Sequence, residues 1–209
     1  MLYPQNILLG ALFILLSEFM FASMGALVKT VSIELPNEVT VFLRNLIGLG
    51  LLSVWFWHKG FSRLKTRVIH LHLLRASFGL AAMYCFFYAL ANLHLAEGLL
   101  LKMTAPFFMP FIAWFWLKES APRLALLALP VGFAGVALIL KPDGDFNWVV
   151  LIGLLGGLFA AIAKTSVRRL GRSEPTSRVV FYFALLATLI SALPMLWAWQ
   201  IPSNQAWLL

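Results

Sequence analysis

The sequence predicts an all-α protein, a polytopic transmembrane helix bundle, and three observations carry that prediction. Of 209 residues, 62% are hydrophobic and only 11% charged, whereas ordinary soluble domains carry about 25% charged and roughly 45–50% apolar residues. So few charges cannot cover a water-facing surface. The apolar residues fall in long runs of about the 20 residues that a helix needs to cross the hydrocarbon. The 16 basic and 8 acidic side chains, a formal charge of +8, gather largely in short loops between those runs. That clustering fits membrane orientation better than nucleic-acid binding, so a lipid bilayer is the expected surrounding and nucleic acid is not an expected partner.

Seven runs qualify as spans: 6–28, 39–57, 72–92, 96–117, 124–140, 148–167 and 179–199. The first has no basic residue before Lys29 and is long, so it reads as a retained span rather than a cleavable signal. The second starts beyond the turn Glu34-Leu35-Pro36 and ends at the basic stretch holding Lys59, Arg63, Lys65 and Arg67. The third carries Arg75 just inside its start. The fourth, "GLLLKMTAPFFMPFIAWFW", is apolar apart from Lys102 and holds Pro106 and Pro110. Proline inside a helix removes a hydrogen bond and clashes with the preceding turn, so a kink or an unwound segment is expected there. The fifth is the shortest, yet free of charge between Arg123 and Lys141. The last two are joined by a turn containing Arg168, Arg169, Arg172, Glu174-Pro175 and Arg178. Short loops make sequence neighbours pack in alternating direction.

Eleven basic residues lie in or beside the loops after spans two, four and six, including Lys118 and Arg123. The intervening loops hold only Lys29 and Lys141, alongside Glu34, Glu38, Glu97, Asp143 and Asp145. The asymmetry predicts a cytoplasmic N-terminus in a multi-pass inner (cytoplasmic) membrane protein. The stretches around spans one and six also align, each with an early glycine, an acidic-Pro turn and a following "VxF" or "VVF". With five spans per unit the second copy starts from the opposite side, an inverted repeat of the kind transporters use. The expected division is a first five-helix repeat over 1–141 and a partial second repeat over 148–209.

Several motifs in order resemble the EamA-type transporters of the drug/metabolite transporter superfamily. "VFLRN" (41–45) resembles that family's aromatic-x-arginine in the second helix, and "FYALANLHLAEGLLL" (87–101) its passage between helices three and four. Pro106 matches the fourth-helix proline, "WLKES" falls where a Gly-Glu pair closes that helix, and "GFAGVALILKP" (132–142) is similar to the glycine-spaced fifth helix. The resemblance implies ten helices in two inverted halves that carry small metabolites. Here the second half is incomplete, because "IPSNQAWLL" (201–209) stands where an eighth helix would begin, and Lys102 replaces a usually small or apolar residue.

Polar residues inside spans mark the candidate pathway. Glu18 lies roughly 18 Å into span one at ~1.5 Å per residue, near mid-bilayer. A carboxylate there must be protonated, paired or facing water. Proton coupling and an ion pair with Arg44 or Lys102 are both open for it. Arg44 gains weight from the family motif. Tyr84, Tyr88 and Asn92 share a stripe of span three whose polar tips need water, protein or substrate. Lys102 and the Lys102 carbonyl, freed by Pro106, form a polar notch on a face with Gly98, Ala105 and Met109. The pathway candidates are therefore Glu18, Arg44, Tyr84, Tyr88, Asn92, Lys102 and Pro106, while Lys164, a turn from Arg168, reads as snorkelling to the interface. Glycines such as Gly153 and Gly157 read as helix-packing positions.

No catalytic constellation is present, and no metal site or cofactor is expected. His70 and His72, two apart, point to different sides of a helix. Cys85 is a lone thiol in an apolar run, and "GLLGG" (153–157) lacks the Lys-Ser/Thr of a phosphate loop. The expected function is a secondary carrier of a small-molecule solute, anionic or zwitterionic, working by alternating access. The competing expectation is a truncated, non-transporting membrane fragment that needs missing C-terminal helices. A homo-oligomer is compatible with either.

Overall fold

The computed structural model describes residues 7–59, 64–118, 123–140 and 147–200. Arg63, Glu119, Ser120, Lys141, Asp143, Asp145 and the 201–209 stretch lie outside the described residues. Among the described residues, eight α-helices follow in order: α1 (Ile7–Val31), α2 (Asn37–Lys59), α3 (Ile69–Asn92), α4 (Leu95–Lys102), α5 (Ala105–Ile112), α6 (Arg123–Leu140), α7 (Trp148–Leu170) and α8 (Thr176–Ala198). The protein is an all-α polytopic bundle. Six segments are long and apolar enough to cross a membrane, with 95–117 counted as one. The fifth predicted span forms α6, shorter at 18 residues.

The ends of the helices show why they stop where they do. Asn147 precedes α7 and accepts a hydrogen bond from the Val149 N–H at 2.9 Å, filling one of the donors a helix start leaves open. The Glu97 carboxylate accepts from the His94 N–H at 3.0 Å and closes the start of α4. At the C-terminus of α3, Lys29 donates to the carbonyls of Ala91 and Leu93 at 3.1 and 2.7 Å. A cation there satisfies open carbonyls and complements the helix dipole. Lys29 thus ties α1 to α3 rather than reaching for the interface.

The fourth span is discontinuous. α4 ends at Lys102, where Thr104 donates both its N–H (3.1 Å) and its hydroxyl (2.6 Å) to the Leu101 carbonyl. α5 restarts at Ala105 with Pro106 in its first turn, the position a helix tolerates best for proline. Pro110 lies inside α5, which passes into a π turn at Ala113–Leu117 ended by left-handed Lys118 (φ 55°).

α3 is the centre of the bundle, packing along α7 and also touching α1, α2, α4 and α8, while α2 pairs with α8 and α5 with α7. Its core joins Val28, Val41, Leu80, Phe86, Phe87, Leu90 and Ala187 from four helices. Glycine permits the closest approach. A Cβ on Gly157 would stand 2.1 Å from Thr104 Oγ1 and 3.3 Å from the Leu101 carbonyl, so α7 rests directly on the break between α4 and α5.

At the basic end, a buried carboxylate ties two connections together. Glu174 accepts a 2.6 Å hydrogen bond from Thr66 Oγ1 and pairs with Arg178. The Tyr182 hydroxyl donates to the Leu64 carbonyl at 3.0 Å beside it. Burial pushes the Glu174 carboxyl up, but its Thr66 and Arg178 donors outweigh this and hold it below the usual carboxylate range. A group whose folded pKa is depressed stabilises above its unfolded value, about 4.3, and that stability is lost as pH falls through the lower folded value. Acidification over this window is therefore expected to lower the Tm of the purified protein. Glu174→Gln should lower Tm at neutral pH by about 2–4 °C, as for a loss of roughly 1 kcal/mol at this size. It should also flatten the acid dependence, which thermal unfolding from pH 6 to 3 measures.

Candidate functional site

Helices α1, α2, α3, α4, α7 and α8 enclose a cavity of about 230 Å³. Its wall is mainly apolar, with Phe21 and Met24 of α1, Met83 and Phe86 of α3 and Phe183 of α8. Set into that wall are four cations: Arg44 from α2, Arg75 from α3, Lys102 from α4 and Lys164 from α7. Small ligands bind best in such mainly apolar pockets with a few placed polar groups.

Lys102 reaches the cavity because α4 stops there. Its Nζ lies 3.3 Å from Glu18 Oε2 and 3.1 Å from the centre of the Phe21 ring. A carboxylate and an aromatic face both favour an ammonium ion. The pair is unevenly covered: the Glu18 side chain is 54% exposed and that of Lys102 17%. Glu18 therefore sits at the rim, with Lys102 turned inward. Pro106, having no N–H, cannot bond the Lys102 carbonyl as a helix would, and this polarises the same spot.

The two arginines are held differently. Arg44 donates to Asn45 Oδ1 at 3.1 Å and lies 3.9 Å from Met83 Sδ. Arg75 stacks on Phe183 at 4.1 Å, and its Nε has no hydrogen-bond partner among the described residues. Its guanidinium occupies the space beside Gly79, where a Cβ would come within 1.9 Å of Nη1 and 2.8 Å of Phe183 Cε2. Gly79→Ala should thus shift Arg75 from its place, since an arginine tip can swing away, while the core-packed Phe183 ring must also give. The expected effect is a several-fold higher KM for solute flux with a modest fall in Tm, measured on reconstituted protein.

The remaining sequence candidates lie elsewhere. Tyr84 packs at the edge of the core, its hydroxyl buried without a partner among the described residues. Its carbonyl accepts from Asn37 Nδ2 at 3.0 Å. Tyr88 lines a second cavity, about 270 Å³, against Asn37 and Glu38 at the end away from the basic loops. Asn92 donates to the Tyr88 carbonyl at 2.9 Å, within its own helix. Pro106 itself faces outward, exposed. Arg75 and Lys164, by contrast, enter the cavity although the sequence offered only an end-of-span cation at each. The available signal was that both lie inside spans rather than in loops. Among the described residues no three His, Cys, Asp or Glu side chains converge as metal ligands.

The fold and the cavity define a multi-pass membrane protein built like a solute carrier. The chain belongs to the EamA-like transporter family, whose family model matches residues 8–141. It is 35% identical over 191 residues to a pseudopaline exporter of Pseudomonas aeruginosa, an alignment covering 90% of this chain and 66% of that protein. It is also 29% identical to a riboflavin transporter of Vibrio cholerae, covering 96% of this chain and 69% of the relative. The chain thus spans about two thirds of the length of these curated relatives. A solved crystal structure at 22% identity shares the fold with a TM-score of 0.62, over 90% of this chain and 68% of its own. The family is one of transporters rather than enzymes.

Proposed function

We propose that this protein is a secondary carrier of small organic solutes in the cytoplasmic membrane, with a cytoplasmic N-terminus, working by alternating access. The cavity carries the reading: four cations in an apolar wall, bordered by a helix broken at Lys102, favour an anionic or zwitterionic solute. Its relatives named as exporters or transporters of pseudopaline and riboflavin support an organic metabolite. In this reading residues 1–141 form one five-helix repeat and 148–209 open an inverted second one, with α7 and α8 the counterparts of α1 and α2.

The test is counterflow in proteoliposomes carrying the product of the complete coding region, challenged with a metabolite mixture. Saturable exchange of carboxylated solutes is expected, and no exchange of any solute would overturn the reading. One observation favours a second reading. The most apolar stretch of α1 is 0% buried within the bundle, against 39% for α7. If transport needs further helices seated on α1, this chain alone binds solute without moving it, and counterflow by residues 1–209 alone would exclude that.

A further inference from the structure

The charges around the cavity do not balance. Arg44, Arg75, Lys102 and Lys164 line it, and among the described residues no carboxylate does. Glu18, at the rim, meets one of the four, Lys102. No salt bridge to Arg44, Arg75 or Lys164 is present among the described residues. Three of the four cations lining this mainly apolar cavity, half-buried Arg75 and the more exposed Arg44 and Lys164, thus meet no anion among the described residues. An unpaired cation in an apolar wall is costly, most of all at half-buried Arg75, so the site suits a second negative group beside the one on Lys102.

The cations also come from opposite halves of the bundle. Arg44 and Lys102 lie seven residues inside the starts of α2 and α4, away from the basic loops. Arg75 and Lys164 lie six residues from the basic-loop ends of α3 and α7. At 1.5 Å per residue all four sit about 10 Å in from their helix ends, one pair on each side of the middle. Phe21, Phe86 and Phe183 line the same cavity, with Phe21 against Lys102 and Phe183 against Arg75.

Resting on the carrier reading above, we propose that the solute class is a compact acid with at least two carboxylates on an apolar or aromatic body, and that one of these carboxylates displaces Glu18 from Lys102. Glu18 is then a tethered competitor. In the empty carrier it holds Lys102 against Phe21; on binding, the solute carboxylate takes its place and Glu18 swings away from the cavity wall. Glu18, 54% exposed, has room to leave the contact, while Lys102, at 17%, stays in the wall. No bond is made or broken; one carboxylate replaces another on the same ammonium. A competitor reduces the binding-ready fraction, so its removal tightens apparent affinity by that fraction.

The experiment uses protein from the complete coding region in lipid nanodiscs, with ligand-induced Tm shifts as a binding readout independent of transport. The probes are phenylsuccinate, phthalate and succinate, each beside its half-amide. In the wild type the diacids are expected to bind at least tenfold more tightly than their half-amides. Glu18→Gln should tighten diacid binding about tenfold, and Lys102→Gln should erase the difference between diacid and half-amide. Equal binding of diacid and half-amide, or weaker diacid binding in Glu18→Gln with its ligand-free Tm unchanged, would overturn the proposal. If Glu18→Gln lowers the ligand-free Tm, the half-amide comparison in Lys102→Gln decides instead. Counterflow of monoacids without any diacid preference would sink this proposal and leave the carrier reading standing. Absence of counterflow with every solute would remove both.

Discussion

Lys102→Leu is expected to insert and fold normally while losing about ten- to a hundredfold in solute affinity. The magnitude follows from removing one charge-assisted contact, worth roughly 1.5–3 kcal/mol. Folding should survive because Lys102 has no main-chain role that leucine cannot fill, and the break beside it is set by Thr104 and Pro106. Leucine also relieves the bilayer of a cation, although it strands Glu18, whose side chain is 54% exposed. The measurements are initial rates against solute concentration in proteoliposomes, with membrane yield as the control. An unchanged KM would return Lys102 to a snorkelling side chain and leave the cavity without its central contact.

Gly157→Val is expected to be the most damaging single change to the fold. The new Cβ would fall 2.1 Å from Thr104 Oγ1 and 3.3 Å from a backbone carbonyl, that of Leu101. Thr104 can rotate only by giving up its 2.6 Å hydrogen bond to the same carbonyl, so the two helices must separate. Overpacking of this kind costs about 3 kcal/mol. Gly48→Val in α2 is the control, since nothing lies within 4 Å of the Cβ it would gain. Thermal unfolding should show a large drop for the first and little change for the second. Equal effects would mean that α7 does not rest on the α4–α5 break.

The spans were legible in the sequence because lipid imposes a coarse and demanding pattern: long apolar runs, with charge at their ends. The limits shifted by at most three residues, and where they did the reasons are ones that composition does not display. α1 runs on through Lys29 because that side chain turns back onto the α3 carbonyls. α7 continues through Arg168 and Arg169, and Arg169 stacks 5.5 Å from the Trp116 ring. The proline signal in the fourth span pointed to disrupted backbone, and the chain answers with a tightened two-residue turn at Met103 and Thr104, both still in the right-handed helical region.

The site was only partly legible. Glu18, Arg44 and Lys102 stood out as charges well inside apolar runs, and the structure brings them to one cavity or its rim. Tyr84, Tyr88 and Asn92 lie on one stripe of α3, but α3 is wrapped by five other helices. Periodicity gives a common face without naming the neighbour it meets. Here that face turns toward the α1–α2 connection and the second cavity. Arg75 and Lys164 were obscured by the opposite effect: long cations near helix ends ordinarily reach for the interface, and only the packing of α3 on α7 places both at the cavity wall.

The central claim, that Lys102 faces a water-filled solute pathway, is tested most directly by thiol accessibility. The chain has one cysteine, Cys85, so Lys102→Cys is introduced on a Cys85→Ala background in oriented vesicles. A membrane-impermeant, charged thiol reagent should modify position 102, when added to either face in turn, and a dicarboxylate at concentrations raised to offset its weakened binding should slow the reaction. Modification by lipid-soluble maleimide alone, with no reaction from water on either face, would contradict the account.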